Sequence, residues 1–393
     1  MDGSAGRGGV PDLLFEDVCG ARVEELRPFL DAPESAGAGT PLHRVTVFLT
    51  YRCNLACPYC KTIARTPRDA AAWPQKAVRY DVPRFEALLR RLGDMPVRHL
   101  HFTGGEAALV PGVEAMAALA RRAGIAQLSM TSNGTAPPAR YAALVRAGMT
   151  EVRISIDAHE AALGAQLTGR CGAWPRSVEA LRALVAARDA GAEVRVLANV
   201  VVGRDNRARL VDLVRFLLAL GPDDVKLITE VDERDALPDF GEREAVERGL
   251  AQLLAAAPPD ALPLLRRKLR TVFARDAIGL GPTAGARTGV AWRCYVPLSE
   301  RTVDGVAYYP CSVYLREGGA PIGRLDDDAE AQRRATAAWV RETDCREDPI
   351  CRRYCLLCTR TYNDAANAAR TDAHAPSPRN AGVRGHGRTR GTG

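Results

Sequence analysis

Residues 50–61 read Thr50-Tyr51-Arg52-Cys53-Asn54-Leu55-Ala56-Cys57-Pro58-Tyr59-Cys60-Lys61. Three cysteines stand at C-x3-C-x2-C spacing, tight enough to point three thiolates at one centre from a single loop. Their odd number cannot be satisfied by simple disulfide pairing. Soft thiolate ligands at this spacing suit an iron–sulfur cluster or zinc. Three ligands on a cubane of four irons leave one iron open, whereas a closed structural zinc site wants four ligands.

Working outward, Val45–Thr50 is a short β-rich run that leads into this loop. Downstream the apolar pattern alternates between strand and helix. Strands are expected at His99–Thr103, Ala126–Thr131, Glu151–Ile156, Glu193–Val202 and Asp224–Thr229. Helices are expected at Asp81–Leu92, Val113–Ala123, Ala139–Ala147, Trp174–Ala190 and Arg207–Leu220. Strands separated by helices in this order imply an α/β fold with a parallel sheet and right-handed crossovers. Functional residues are then expected at the carboxyl ends of the strands.

Those strand ends carry polar chemistry. The second ends in Thr103-Gly104-Gly105-Glu106, where paired glycines let the backbone approach a ligand and the carboxylate can accept from an ammonium group. The third ends in Thr131-Ser132-Asn133-Gly134-Thr135, and the fourth in Ile154-Ser155-Ile156-Asp157. Beyond them lie Leu167-Thr168-Gly169-Arg170, Cys171 and Asn199. Cys171 has two readings: a hydrogen-atom donor if it faces the strand ends, or a small buried hydrophobe if it faces the core.

The cysteine loop, with Tyr59 just before its last cysteine, and the Gly-Gly-Glu at the following strand end resemble the radical S-adenosylmethionine (SAM) family. The resemblance spans Arg44 to Asp232. It implies a partial (β/α)6 barrel and a 4Fe–4S cluster on Cys53, Cys57 and Cys60 whose open iron chelates SAM. An electron from the cluster would cleave SAM to methionine and a 5′-deoxyadenosyl radical. The resemblance further implies that Tyr59, Gly104, Gly105 and Glu106 bind this cofactor, Glu106 taking its amino group. Ser132 and Asn133 would reach its ribose or methionine, and Ser155 its carboxylate. The core also resembles the SAM-dependent cyclase of molybdenum-cofactor synthesis, which implies Arg170 on the SAM carboxylate and Asn199 on the nucleoside.

A second cysteine-rich region starts at Arg293-Cys294-Tyr295. A hairpin is expected over Thr302–Cys311, because Asp304-Gly305 lies between β-forming residues. A helix over Asp326–Arg341 follows, then Cys345, Cys351, Cys355 and Cys358. The layout resembles the SPASM and twitch extensions of radical SAM enzymes, which implies one or two auxiliary 4Fe–4S clusters. Cys345-x5-Cys351-x3-Cys355 matches part of the SPASM pattern, with Glu342 where its leading cysteine would stand. Alternatively Cys294, Cys311, Cys355 and Cys358 form a four-ligand twitch site, and structural zinc is the reading that spacing alone also allows.

Composition bounds the rest. Of the formal charge of +7, +4 comes from five arginines and one aspartate from Ala365 to the end, so the remaining body is near neutral and a nucleic-acid partner is not implied. No apolar run reaches membrane-spanning length and no signal pattern opens the chain, so a cytoplasmic protein without a membrane partner is expected. Eleven cysteines in a reducing compartment favour metal or redox chemistry. The expected divisions are an N-terminal extension (1–40), a core barrel (41–235), a helical bridge (236–290), an auxiliary Fe–S region (291–362) and a disordered basic tail (363–393). The first 40 residues leave no room for a full leader-peptide-binding domain, and Cys19 there reads as an incidental thiol.

The function the resemblance implies is oxidative tailoring, by crosslinking or dehydrogenation, of a ribosomal peptide in natural-product biosynthesis, with flavodoxin or ferredoxin as electron donor. Dehydrogenation or epimerisation of a small molecule such as an aminoglycoside or nucleoside is the alternative. A zinc-stabilised binding module is the reading without catalysis.

Overall fold

The computed structural model describes residues 19–36, 40, 42–60, 80–93, 95–230, 240–272, 279–280 and 291–374. Six strands alternate with helices: β1 Leu42–Thr50, β2 Val97–Gly104, β3 Gln127–Ser132, β4 Glu151–Ser155, β5 Arg195–Val202 and β6 Asp224–Thr229. Each pairs in parallel with the next. The buried half of β1, Val45–Leu49, is a near-continuous apolar run, as a sheet covered by helices requires, whereas β2 buries His99 and Thr103 beside Leu100 and Phe102.

The covering helices follow from local sequence. Helix Val82–Leu92 shows why. Asp81 caps it by accepting from the Arg84 N–H at 2.9 Å, Pro83 stands in its first turn, and Phe85, Leu88 and Leu92 recur at helical spacing on its buried face. Such a cap contributes about 1 kcal/mol. Phe85 meets Phe102 of β2 edge-on, with ring centroids 5.4 Å apart. All five expected helices of the core form, within three residues of their expected ends.

The C-terminal region does not stand apart from the barrel. Strand β7, Glu300–Val303, pairs in parallel with β1, and β8 (Ala307–Tyr309) and β9 (Gly323–Arg324) continue antiparallel. The sheet of the described residues thus runs β6-β5-β4-β3-β2-β1-β7-β8-β9. The expected hairpin therefore extends the barrel sheet beyond the strand that feeds the cysteine loop. Asp304 fastens the two together: its carboxylate accepts from Tyr51 Oη at 3.1 Å and Tyr309 Oη at 3.2 Å.

The bridge helices Phe240–Ala255 and Pro263–Val272 both form. The second is docked on the sheet by Asp224, which accepts from the N–H groups of Leu264 and Leu265. Most of the glycine-rich piece expected as a loop, 278–289, lies outside the described residues.

A second apolar core underlies the cysteine-rich region. It joins Trp292, Tyr295, Val340, Cys345, Cys358 and Tyr362 with Val23, Leu26 and Leu30 from the N-terminal extension. Tyr295 Oη donates to the Leu30 carbonyl at 3.1 Å. The described part of residues 1–40 therefore packs on the C-terminal region. Cys19 opens helix Cys19–Leu26, but its side chain lies outside the described residues.

One expected boundary is wrong. The tail was expected to be disordered from 363, yet helix Leu357–His374 crosses that point. Cys358, Tyr362 and Ala366 set it on the second core, and buried amides add polar anchors: Asn363 Oδ1 accepts from the Tyr295 N–H at 2.7 Å, and Asn367 bonds the Arg293 backbone. Residues 375–393, with His386, lie outside the described residues.

Candidate functional site

The cysteine loop leaves β1 at the carboxyl end of the sheet and is tied down from three sides. Its Ala56 N–H donates to the Thr168 carbonyl at 3.0 Å, and Arg170 Nη1 donates to the Asn54 carbonyl at 3.0 Å. Asn133, at the end of β3, donates from Nδ2 to Asn54 Oδ1 at 2.9 Å and to Cys53 Sγ at 3.6 Å. Cys53, Cys57 and Cys60 lie within electrostatic reach of one another, and the Leu55 N–H donates to Cys53 Sγ at 3.4 Å. Burial pushes the Cys57 thiol up to about 12. Only a bound cationic centre would therefore hold it as a thiolate at neutral pH.

The glycine pair is explained by protein backbone. The Gly105 N–H donates to the Thr50 carbonyl at 2.7 Å and the Glu106 N–H to the Arg52 carbonyl at 2.9 Å. A Cβ on Gly104 would stand 2.2 Å from Thr50 O, and one on Gly105 2.1 Å from Arg52 O. The expected close approach is thus to the root of the cysteine loop. Because both obstacles are backbone, Gly105→Ala is expected to cost about 1–3 kcal/mol and to shift the loop. Thermal unfolding and iron content should both fall, and wild-type values of both would refute this packing account.

Glu106 has partners that its expected role does not name. It is 1% exposed, and its carboxylate is engaged inside the protein. Oε1 accepts from Ser132 Oγ at 2.7 Å and the Ala108 N–H at 2.9 Å, and Oε2 from the Asn133 N–H at 2.6 Å. Ser132 Oγ also shares a 2.7 Å bond with Tyr141 Oη. Glu106 and Ser132 therefore join β2 to the end of β3 and set the Asn133 backbone, which is where their buried groups find partners. Glutamine at 106 would turn one amide N–H toward a donor. Glu106→Gln is expected to lower stability by about 1–3 kcal/mol, read as a drop in unfolding midpoint. An unchanged midpoint with SAM affinity weakened about 10- to 100-fold would instead return the carboxylate to the cofactor.

The other expected residues fall into place less uniformly. Tyr59 Oη donates to Asp157 Oδ2, while Asp157 Oδ1 accepts from the Val201 N–H at 2.7 Å. Burial raises Asp157 to about 6. This pair ties the loop to β5. Ser155 is half-buried at the end of β4, in register with Asn199 of β5. Asn199 is 4% exposed and its Oδ1 has no hydrogen-bond partner. Arg170 is exposed and spends a donor on the loop backbone. Cys171 is exposed in the turn before helix Ala173–Asp189, neither buried nor on the central cavity. The buried reading is corrected, since Cys171 is exposed in a turn where Gly169 and Gly172 take left-handed conformations.

A cavity of about 260 Å³ fills the barrel between the strand ends and the C-terminal region. Thr46, His101, Thr131 and Asn199 line its barrel side, and Cys311, Leu357 and Cys358 its far side. His101 is held well below the usual histidine range by burial and by the nearby Arg153 and Arg44.

The C-terminal cysteines gather across that cavity. Cys294 and Cys345 lie close together, and their mutual influence raises Cys345 and lowers Cys294. Cys351 hydrogen-bonds Cys345, and Cys294 lies within electrostatic reach of Cys311, Cys351 and Cys355. Asn363 Nδ2 donates to Cys294 Sγ at 3.4 Å. Cys358 is a neighbour of Cys355. Among the described residues, no three His, Cys, Asp or Glu side chains converge as the ligands of a single metal ion. A cubane distributes its thiolates over separate irons, so its ligands stand further apart than those of one ion.

Comparison with known proteins agrees with this geometry. PqqA peptide cyclase of Gluconobacter oxydans (strain 621H) is 30% identical over 179 residues, 46% of this chain and 47% of its own length. GTP 3′,8-cyclase of Xanthomonas axonopodis pv. citri (strain 306) is 30% identical over 194 residues, 49% of this chain and 56% of its own. The chain thus spans about half the length of the curated relatives it matches. Two solved structures share the fold at low identity. Streptococcus suis SuiB bound to precursor peptide SuiA has a TM-score of 0.55 at 14% identity, covering 84% of this chain and 69% of its own. Native anSMEcpe with bound AdoMet and Cp18Cys peptide has a TM-score of 0.56 at 14% identity, covering 85% and 99%. Residues 47–217 match the Radical SAM superfamily, so the chain carries a radical SAM domain.

Proposed function

We propose that this chain is a radical SAM enzyme that oxidatively tailors a peptide, forming a crosslink or a dehydrogenated centre. One observation carries the reading: a single cavity reaches from the barrel interior to cysteines of a second, six-cysteine cluster. Cys53, Cys57 and Cys60 would hold the first 4Fe–4S cluster, with SAM against it near Asn133, Ser155 and the Gly104-Gly105 backbone. Bound together, that cluster and SAM would supply hydrogen-atom abstraction from a substrate C–H bond.

The chain's own residues prepare the chamber. Asn133 and Arg170 fix the loop backbone, and Asp157 with Tyr59 ties the same loop to β5. Helix Leu357–His374 and the piece around Cys311 close the cavity on its far side. An auxiliary cluster on the C-terminal cysteines would stand at the cavity wall, where it can accept the electron left on the substrate. Flavodoxin or ferredoxin would supply the first electron. SuiB and anSMEcpe, which share the fold, were solved with peptides bound, and this supports a peptide substrate.

The test is mass spectrometry of candidate peptides after reaction with the reconstituted, reduced chain and SAM. A product two hydrogen atoms lighter, formed with 5′-deoxyadenosine, is expected. An unchanged mass in H2O, with one deuterium gained at the reacted carbon in D2O, would replace oxidation by epimerisation.

A further inference from the structure

The central cavity carries an excess of positive charge. Arg44, Arg153, Lys226, Lys268 and Arg316 line it, against one carboxylate, Glu300. Glu300 is already taken by Arg44 at 2.7 Å, and Arg153 is paired by Glu151 at 2.5 Å. Arg316 stands differently. It ends the short helix Ser312–Arg316, its guanidinium lies over the Phe48 ring at 5.4 Å, and its buried Nε has no hydrogen-bond partner. It also lies within electrostatic reach of Cys60 on one side and Cys311 on the other. A guanidinium offers donors in a planar fork that matches a carboxylate.

Across the chamber, the orphaned acceptor Asn199 Oδ1 needs an N–H donor. A ligand that satisfies both walls must combine an anionic group with an N–H. A peptide residue with a side-chain carboxylate does so, whereas inorganic phosphate has no N–H to give. Size agrees: about 260 Å³ is below the usual range for a whole drug-sized ligand and suits one inserted residue.

We infer that the cavity receives an acidic residue, aspartate or glutamate, of the peptide substrate. Its carboxylate is taken by Arg316 and the surrounding cations, and its backbone N–H by Asn199. This rests on the reading of the barrel as a peptide-modifying chamber. It also assigns Asn199 to the substrate in place of the nucleoside.

The test is calorimetric binding to the full chain, reconstituted with iron and sulfide and saturated with SAM, without reductant. The probes are acetyl-Gly-Gly-Glu-Gly-Gly-amide and its glutamine twin, with inorganic phosphate as a third ligand. The glutamate peptide is expected to bind about 10-fold more tightly than the glutamine one, as a charge-assisted bond implies. Arg316→Gln should erase that preference with iron content and SAM binding retained, and Arg316→Lys should restore part of it. Lys226→Met should reduce the preference, which keeps a result in hand if the arginine variant does not fold.

Equal binding of the two peptides, no binding of either, or phosphate binding as tightly as the glutamate peptide would overturn the inference. So would an Arg316→Gln chain that loses SAM but keeps the preference, since the arginine would then serve the cofactor. Failure of the parent reading shows separately, as absent SAM cleavage in the reduced wild-type chain.

Discussion

Replacing Cys53, Cys57 and Cys60 together by alanine is expected to remove about four irons per chain and to abolish SAM cleavage. These three thiols share one loop that Asn133, Thr168 and Arg170 hold in place. None of those clamps depends on a cysteine side chain except the long Asn133 contact with Cys53. The triple variant should therefore keep its fold, seen as an unchanged far-ultraviolet circular dichroism spectrum, while 5′-deoxyadenosine falls to background. Iron lost from this site alone should leave the C-terminal iron in place. SAM cleavage at the wild-type rate in the triple variant would remove the loop from the chemistry altogether.

The barrel was legible because its signals are local. β6 occupies the expected Asp224–Thr229, and the core helices needed only apolar spacing and a cap such as Asp81. The loop and the glycine pair were legible too, since each is a contiguous motif. What the sequence hid is non-local. Nothing near Glu300 announces that β7 will lie beside β1, more than 250 residues earlier in the chain. The last helix was hidden for a related reason: Tyr362, Ala366 and the polar Asn363, Asn367 and Arg370 all find their partners in distant residues such as 291–295.

The internal partners of Glu106 were hidden for the same physical cause. A carboxylate at a strand end can serve a ligand or a neighbouring backbone, and only the fold shows that Ser132 and Asn133 reach it first. Cys171 was open for want of the turn geometry that exposes it. Arg316 gave no signal at all, because its meaning depends on Phe48, Cys60 and Cys311 meeting across the cavity.

Cys294→Ala is expected to remove about four further irons and leave the first cluster intact. Six thiols cannot close two cubanes, which together want eight ligands. One auxiliary 4Fe–4S cluster with four thiolates, and two cysteines left over, fits the number present. Cys294 is the hub of the group: it is buried and lies close to Cys345 and within reach of Cys311, Cys351 and Cys355. Cys358 is tied to the group mainly through Cys355. Loss of the hub should thus cost more iron than loss of any outer thiol, and exposed Cys171→Ala should cost none. The variant should still cleave SAM, because Cys53, Cys57 and Cys60 are untouched, but the oxidised peptide should disappear once the electron has no acceptor. Iron and sulfide analysis beside product mass spectrometry reads both effects. Full iron in Cys294→Ala would move the ligand set to the other five cysteines, and zinc there would make the region a structural clasp.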